Sequence, residues 1–123
     1  MSAGYVAGMR LRRHQGAVDA LTMRRAFNDS MQEWPERRAA PPSEKHRFFC
    51  ECGDEKCTAL VVLTGAEYEA VRAHARRFAV LPEYVRPDAD RVVEEHGSYV
   101  VVQKNEAAGR NVDQADPRRA SGA

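Results

Sequence analysis

A chain of 123 residues and 13.8 kDa, with 43 % hydrophobic and 30 % charged residues, has the size of one domain and is too apolar to be disordered throughout. No apolar run approaches the ~20 residues needed to cross a bilayer, and residues 1–13 lack the apolar stretch and cleavage site of a secretory signal, so a soluble, cytoplasmic protein is expected. Charge balances to +1. Residues 1–47 hold nine Lys/Arg against five Asp/Glu and residues 48–104 hold seven against ten, an asymmetry too mild to argue for nucleic acid.

Residues 1–14 show no hydrophobic period and read as a flexible N-terminus. Residues 15–38 read as an amphipathic helical arm. At 100° per residue Ala20, Met23, Phe27, Met31 and Trp34 fall within roughly 80° of one another, with Thr22, Arg25, Asp29, Gln32 and Glu33 on the far side. Pro35 ends or kinks that helix, and residues 39–44, with Pro41 and Pro42, read as a linker.

A small folded unit is expected over 45–104. His46–Cys50 reads as a strand, Cys52–Cys57 as a tight turn and Thr58–Leu63 as a buried strand. Thr64-Gly65-Ala66-Glu67 has the form of a capping box opening a helix with Tyr68, Val71, Ala75 and Phe78 on one face, ending near 76–78. Phe78–Pro82 is short and extended. Arg91–Glu95 and Tyr99–Lys104 flank His96-Gly97-Ser98 as a hairpin, with Gly97 free to take positive φ. Residues 105–123, polar and rich in turn formers, read as a flexible tail. The expected class is α+β: a small antiparallel sheet with a Cys-cluster turn, one central helix, a C-terminal β-hairpin and an N-terminal amphipathic helix.

All three cysteines, Cys50, Cys52 and Cys57, lie within eight residues. On a strand Cys50 and Cys52 share a face, and the turn that follows can fold Cys57 back beside them. Three thiolates converging this way suit one soft metal ion, zinc above others, and a unit of about 60 residues gains from such a staple. The fourth ligand is less evident. His46 lies ~13 Å from Cys50 along an extended strand; His96, at the hairpin tip, is the candidate, with His74, a carboxylate or water as alternatives. Three readings stand side by side: a structural zinc knuckle, a thiol redox sensor with a disulfide inside the Cys50/Cys52/Cys57 cluster, and three reduced thiols without a ligand. Glu51, Asp54 and Glu55 weigh against redox reactivity, because neighbouring negative charge raises a thiol pKa.

No phosphate loop, HExxH or GxSxG appears. A metalloenzyme using the cluster is the least supported class, and no substrate follows from the sequence. The acidic run Asp88, Asp90, Glu94 and Glu95 reads as an exposed strand face. Arginines 10, 12, 13, 24 and 25 read as a solvated arm, since no aromatic residues interleave with them as nucleic-acid binding would need. The stripe Met23, Phe27, Met31 and Trp34 carries large, adaptable side chains suited to a protein partner or to self-association, or else packs into the core.

From the cysteine cluster onward the chain resembles a family of small bacterial proteins from GC-rich genomes. The pattern is F-x-C-E-C-G-x-x-x-C, L-T-x-x-E-Y-E-x-V-R, R-F-x-V-x-P, V-V-E and D-P-R, here Phe48–Cys57, Leu63–Arg72, Arg77–Pro82, Val92–Glu94 and Asp116–Arg118. The helix holding Arg24 and Asn28 matches the family's N-terminal helix more loosely. The resemblance implies no established activity. Members often carry Pro-Gly-His where this chain has Pro82-Glu83-Tyr84, so a histidine that would complete a metal site there is replaced by Tyr84.

Overall fold

The computed structural model describes residues 2–118, with side chains from Gly16 onward. Helix α1 spans Ser2–Gln32 and so takes in residues 2–14, expected to be flexible. It stops where Glu33 N and Trp34 N donate to Ser30 and Met31 carbonyls at 3.1 Å, and a short helix α2, Pro35–Ala39, follows. Pro35 starts this second helix at a position where its missing N–H costs nothing.

Strands β1, Lys45–Phe49, and β2, Leu60–Thr64, pair antiparallel with Phe48 opposite Val61. Helix α3, Gly65–Arg72, opens on the expected capping box: Glu67 N donates to Thr64 Oγ1 at 3.0 Å and Thr64 N to Glu67 Oε1 at 2.8 Å. It is shorter than its periodicity implies. His74 N turns to the Val71 carbonyl at 3.2 Å, and Phe78 enters β3, Arg77–Val80, instead of a fourth helical turn. A second antiparallel sheet has the order β3-β5-β4, from β4, Asp90–Glu95, and β5, Val100–Lys104. The β4–β5 turn places Gly97 at φ 74°, as its position in the hairpin predicts.

Residues 106–115, expected within a flexible tail, form helix α4, Glu106–Ala115. Asn105 caps it, accepting from Ala108 N at 3.0 Å, and Val112 is buried. Arg76 fastens it through Asp113 at 2.9 Å and Glu106 at 2.8 Å. The core between sheets and helices is built from Phe48, Val61, Leu63, Tyr68, Phe78 and Val101, with the Phe48 and Tyr68 rings stacked 4.5 Å apart. The two sheets meet at the cysteine loop, where Glu51 N donates to the Ala79 carbonyl at 2.9 Å.

Helix α1 docks on the flank between its apolar stripe and the opposite polar face, with Ala20 of the stripe buried at the margin. Leu21, Arg24, Arg25, Asn28 and Asp29 are buried, whereas Met23, Phe27 and Trp34 keep 55, 54 and 50 % exposure. The polar side chains go inside because the loop and α3 offer them fixed hydrogen-bond partners, which makes burial of charge affordable.

Candidate metal centre

Cys50 follows β1 directly and extends its ladder by one bond, Cys50 N to Ala59 O at 3.1 Å. Beyond Glu51 and Cys52 the chain turns on Asp54, whose side chain accepts from Lys56 N at 2.9 Å and whose carbonyl accepts from Cys57 N at 3.1 Å. That turn returns Cys57 to the other two. Gly53 allows it by size, not by an unusual φ: a Cβ there would stand 2.9 Å from the Ala17 Cβ of α1. All three cysteines are buried and unbridged, and their sulfurs lie within 4.8 Å of one another. The three residues predicted to converge do so.

Each sulfur faces a backbone amide. Leu81 N points at Cys50 Sγ at 3.4 Å, Ala59 N at Cys57 Sγ at 3.5 Å, and the Asp54 amide donates to Cys52. Arg24 reaches in from α1, donating to the Cys52 carbonyl at 2.7 Å and the Cys57 carbonyl at 2.9 Å, with the same guanidinium 3.6 Å from Cys52 Sγ. The Cys50 thiol donates to Cys52, which draws the Cys52 pKa down to about 6 and, together with burial, pushes Cys50 up. Chemically the pocket is an anion hole shaped for thiolate sulfur, and such a group can hold a metal ion.

Tyr84, on a 3-10 turn over Pro82–Tyr84, hydrogen-bonds Cys57, which raises the Tyr84 phenol pKa. It also lines an open cleft of about 600 Å³, with Ala17, Gly53, Lys56, Glu83 and Arg86. His96 does not join the group. Its Nε2 sits 2.7 Å from Glu94 Oε1, its Nδ1 3.8 Å from Glu67, and its ring stacks on Tyr99 at 4.6 Å, so the expected fourth ligand is engaged on the β4–β5 hairpin. His46 faces Glu44 at 3.7 Å. Within the acidic run, Asp90 is not an exposed strand carboxylate but a buried partner of Lys104 at 2.6 Å.

Behind the cysteines lies a buried polar network. Glu51 is fully buried, accepting from Asn28 Nδ2 at 2.9 Å, Tyr68 OH at 3.2 Å and Ala79 N at 3.3 Å; burial raises its pKa while the Arg25 charge opposes the rise. Tyr68 also donates to Asp29 at 2.7 Å, and Arg72 bridges Asp29 at 2.9 Å to Asp116 at 2.6 Å. Asn28 further exchanges bonds with Phe49, donating to its carbonyl at 2.9 Å and accepting its amide at 2.8 Å. Arg24, Asn28 and Glu51 are the site residues to which sequence reasoning gave no role at the cluster, whereas position 84 was singled out through the resemblance. The four-residue spacing of Arg24 and Asn28, which sets them on one helix face, is the signal that could have marked two of them. Compared with protein-family models, curated proteins and solved structures, the chain finds no match.

Proposed function

We propose that Cys50, Cys52 and Cys57 hold a structural zinc ion, and that the protein is a non-enzymatic binding or regulatory module of the cytoplasm. The observation that carries the reading is the set of three backbone amides directed at three buried sulfurs, because N–H donors favour thiolate over thiol and thiolates in a buried cluster need a cation. Zinc at about 2.3 Å from each sulfur sets them about 3.8 Å apart, within the observed spread of 4.8 Å. Arg24 offsets the net negative charge of a tris-thiolate zinc. The fourth position falls to a small ligand on the Tyr84 side, since this chain departs from the family it resembles in having Tyr84 where members often carry histidine. Reduced, metal-bound cysteines belong to a reducing compartment. The exposed Met23, Phe27 and Trp34, with Met31 between them on α1, are the surface offered to a protein partner.

Native mass spectrometry of protein purified without added metal tests the reading. The expected result is an excess of one zinc, lost on denaturation. Cys52→Ser should lower metal content and the thermal midpoint together, the latter by at least about 5 °C. A metal-free mass with three free thiols, or one deficient by two hydrogens, overturns it; the deficit would install a redox disulfide in its place.

A further inference from the structure

The two-stranded sheet is closed on one side only. Its ladder alternation follows from the Cys50–Ala59 bond: Phe48 and Val61, then His46 and Leu63, exchange the interstrand bonds, so the backbone groups of 45, 47 and 49 on β1 and of 60, 62 and 64 on β2 point away from the partner strand. On β1 these groups are covered. The Asn28 amide binds both the N–H and the carbonyl of Phe49 in the manner of a neighbouring strand, and Arg37 Nη2 donates to the Arg47 carbonyl at 2.8 Å. On β2 the Thr64 amide is taken by Glu67, but among the described residues nothing faces the amides and carbonyls of Leu60 and Val62. The edge devices that keep strands from pairing, lysine, proline or a bulge, are also missing from the run Leu60-Val61-Val62-Leu63-Thr64.

We propose that this open edge of β2 pairs antiparallel with the same edge of a second copy, about a twofold axis at Val62, to give a continuous sheet β1-β2-β2-β1. The segment is self-complementary. Val62 meets Val62 of the other copy and Leu60 lies opposite its Thr64, so every facing pair is apolar or uncharged. The charges on this sheet face, Lys45 and Arg47, sit on β1. Arg47 of one copy is three strand spacings, ~14 Å, from Arg47 of the other, which exceeds the Debye length of about 10 Å at 0.1 M salt. Leu60 and Val62, 46 and 41 % exposed, continue into Phe49 and the Phe27 ring 5.9 Å beyond it, an apolar strip that the pairing covers from its β2 side. One strand and its flanking side chains bury less than the roughly 800 Å² per partner of a tight complex, so the dimer dissociates in the micromolar range. The pairing is independent of the metal centre.

Sedimentation of the full chain across a concentration series, with hydrogen exchange read at single amides, tests the proposal. Expected is a rise from 13.8 kDa to twice that mass, with the Leu60 and Val62 amides gaining protection as the dimer forms. Val62→Lys sets two ammonium groups together at the axis and should weaken dimerisation by about a hundredfold or more, with the far-UV spectrum unchanged. A chain that stays monomeric at several hundred micromolar overturns the proposal. So does a dimer in which the Leu60 and Val62 amides exchange freely, and so does one that survives Val62→Lys and dissociates on Phe27→Glu, which would put the contact on α1. If Val62→Lys fails to fold, the concentration dependence of amide protection in the unaltered chain decides.

Discussion

Single side chains from distant parts of the sequence set the character of the cysteine pocket. Arg24 brings a positive charge to carbonyls and sulfur at once, and Tyr84 brings a hydroxyl to Cys57 on the side of the open cleft. A neutral phenol is a poor zinc ligand, whereas a neutral imidazole is among the best. On the proposed zinc reading, Tyr84→His would therefore supply a fourth ligand from a position that already hydrogen-bonds Cys57. Competition against a chromophoric chelator should show zinc held at least about tenfold more tightly. Tyr84→Phe, which removes only a hydrogen bond to one sulfur, should change affinity far less. Equal affinity for histidine and phenylalanine at this position would show that residue 84 does not reach the metal.

At the level of elements, what could be read from the sequence and what could not divide along one physical line. Local chemistry was legible: the Thr64–Glu67 capping box, the Gly97 hairpin turn and the return of Cys57 towards Cys50 and Cys52 each depend on residues within a few positions. The docking of α1 was not. Its periodicity gives a correct helix, yet beside Ala20 and Leu21 it buries Arg24, Arg25, Asn28 and Asp29, whose partners lie 21 or more residues away. Arg25, for example, donates to the Ala75 carbonyl at 2.7 Å and to the Arg77 carbonyl, and its guanidinium lies 3.7 Å over the Phe78 ring. Hydrophobic patterning cannot register a polar face that is satisfied by another part of the fold. His96 lies apart from the three sulfurs for a similar reason, since Glu67, Glu94 and Tyr99 engage its ring. Helix α4 was missed although Ala108, Val112 and Ala115 recur at helical spacing after the Asn105 cap, because a polar, turn-rich composition hid that short period; one buried valine and two ion pairs from Arg76 hold it. Its packing is testable. Val112→Ala should cost about 2 kcal/mol in urea denaturation, whereas a change within about 0.5 kcal/mol would be that of an unpacked surface residue.

Across the whole molecule, the charges buried behind the cysteines tie the C-terminal segment to both helices of the site. Asp116 sits between Arg72 and Arg25, the latter at 3.6 Å, and Arg72 passes the connection to Asp29 on α1. Burial by itself would raise the Asp116 pKa; hydrogen bonds from Arg72 and the Arg118 amide, with the charges of Arg72 and Arg25, outweigh it and hold the carboxyl below its ordinary 3.8. A carboxyl whose pKa is lower folded than unfolded adds stability above the unfolded value and loses it as pH falls through the folded one. Glu69, held down by its hydrogen bonds from Arg118, and Glu67, held down by the Thr64 amide, act in the same sense. Glu51 acts in the opposite one, since acid relieves the cost of burying its charge. On the proposed metal-bound reading acid would also protonate the thiolates and release the ion, so the contribution of Asp116 has to be separated by substitution. Asp116→Asn keeps the shape and removes the titration. Urea denaturation at pH 7 should show a loss of about 2 kcal/mol. The deficit against the unaltered chain should hold from pH 7 down towards 3.8 and shrink as pH falls below that value, because residue 116 then becomes neutral in both chains. A deficit that stays constant below that value as well would mean that the Arg72–Asp116 pair does not couple the C-terminal segment to folding through charge.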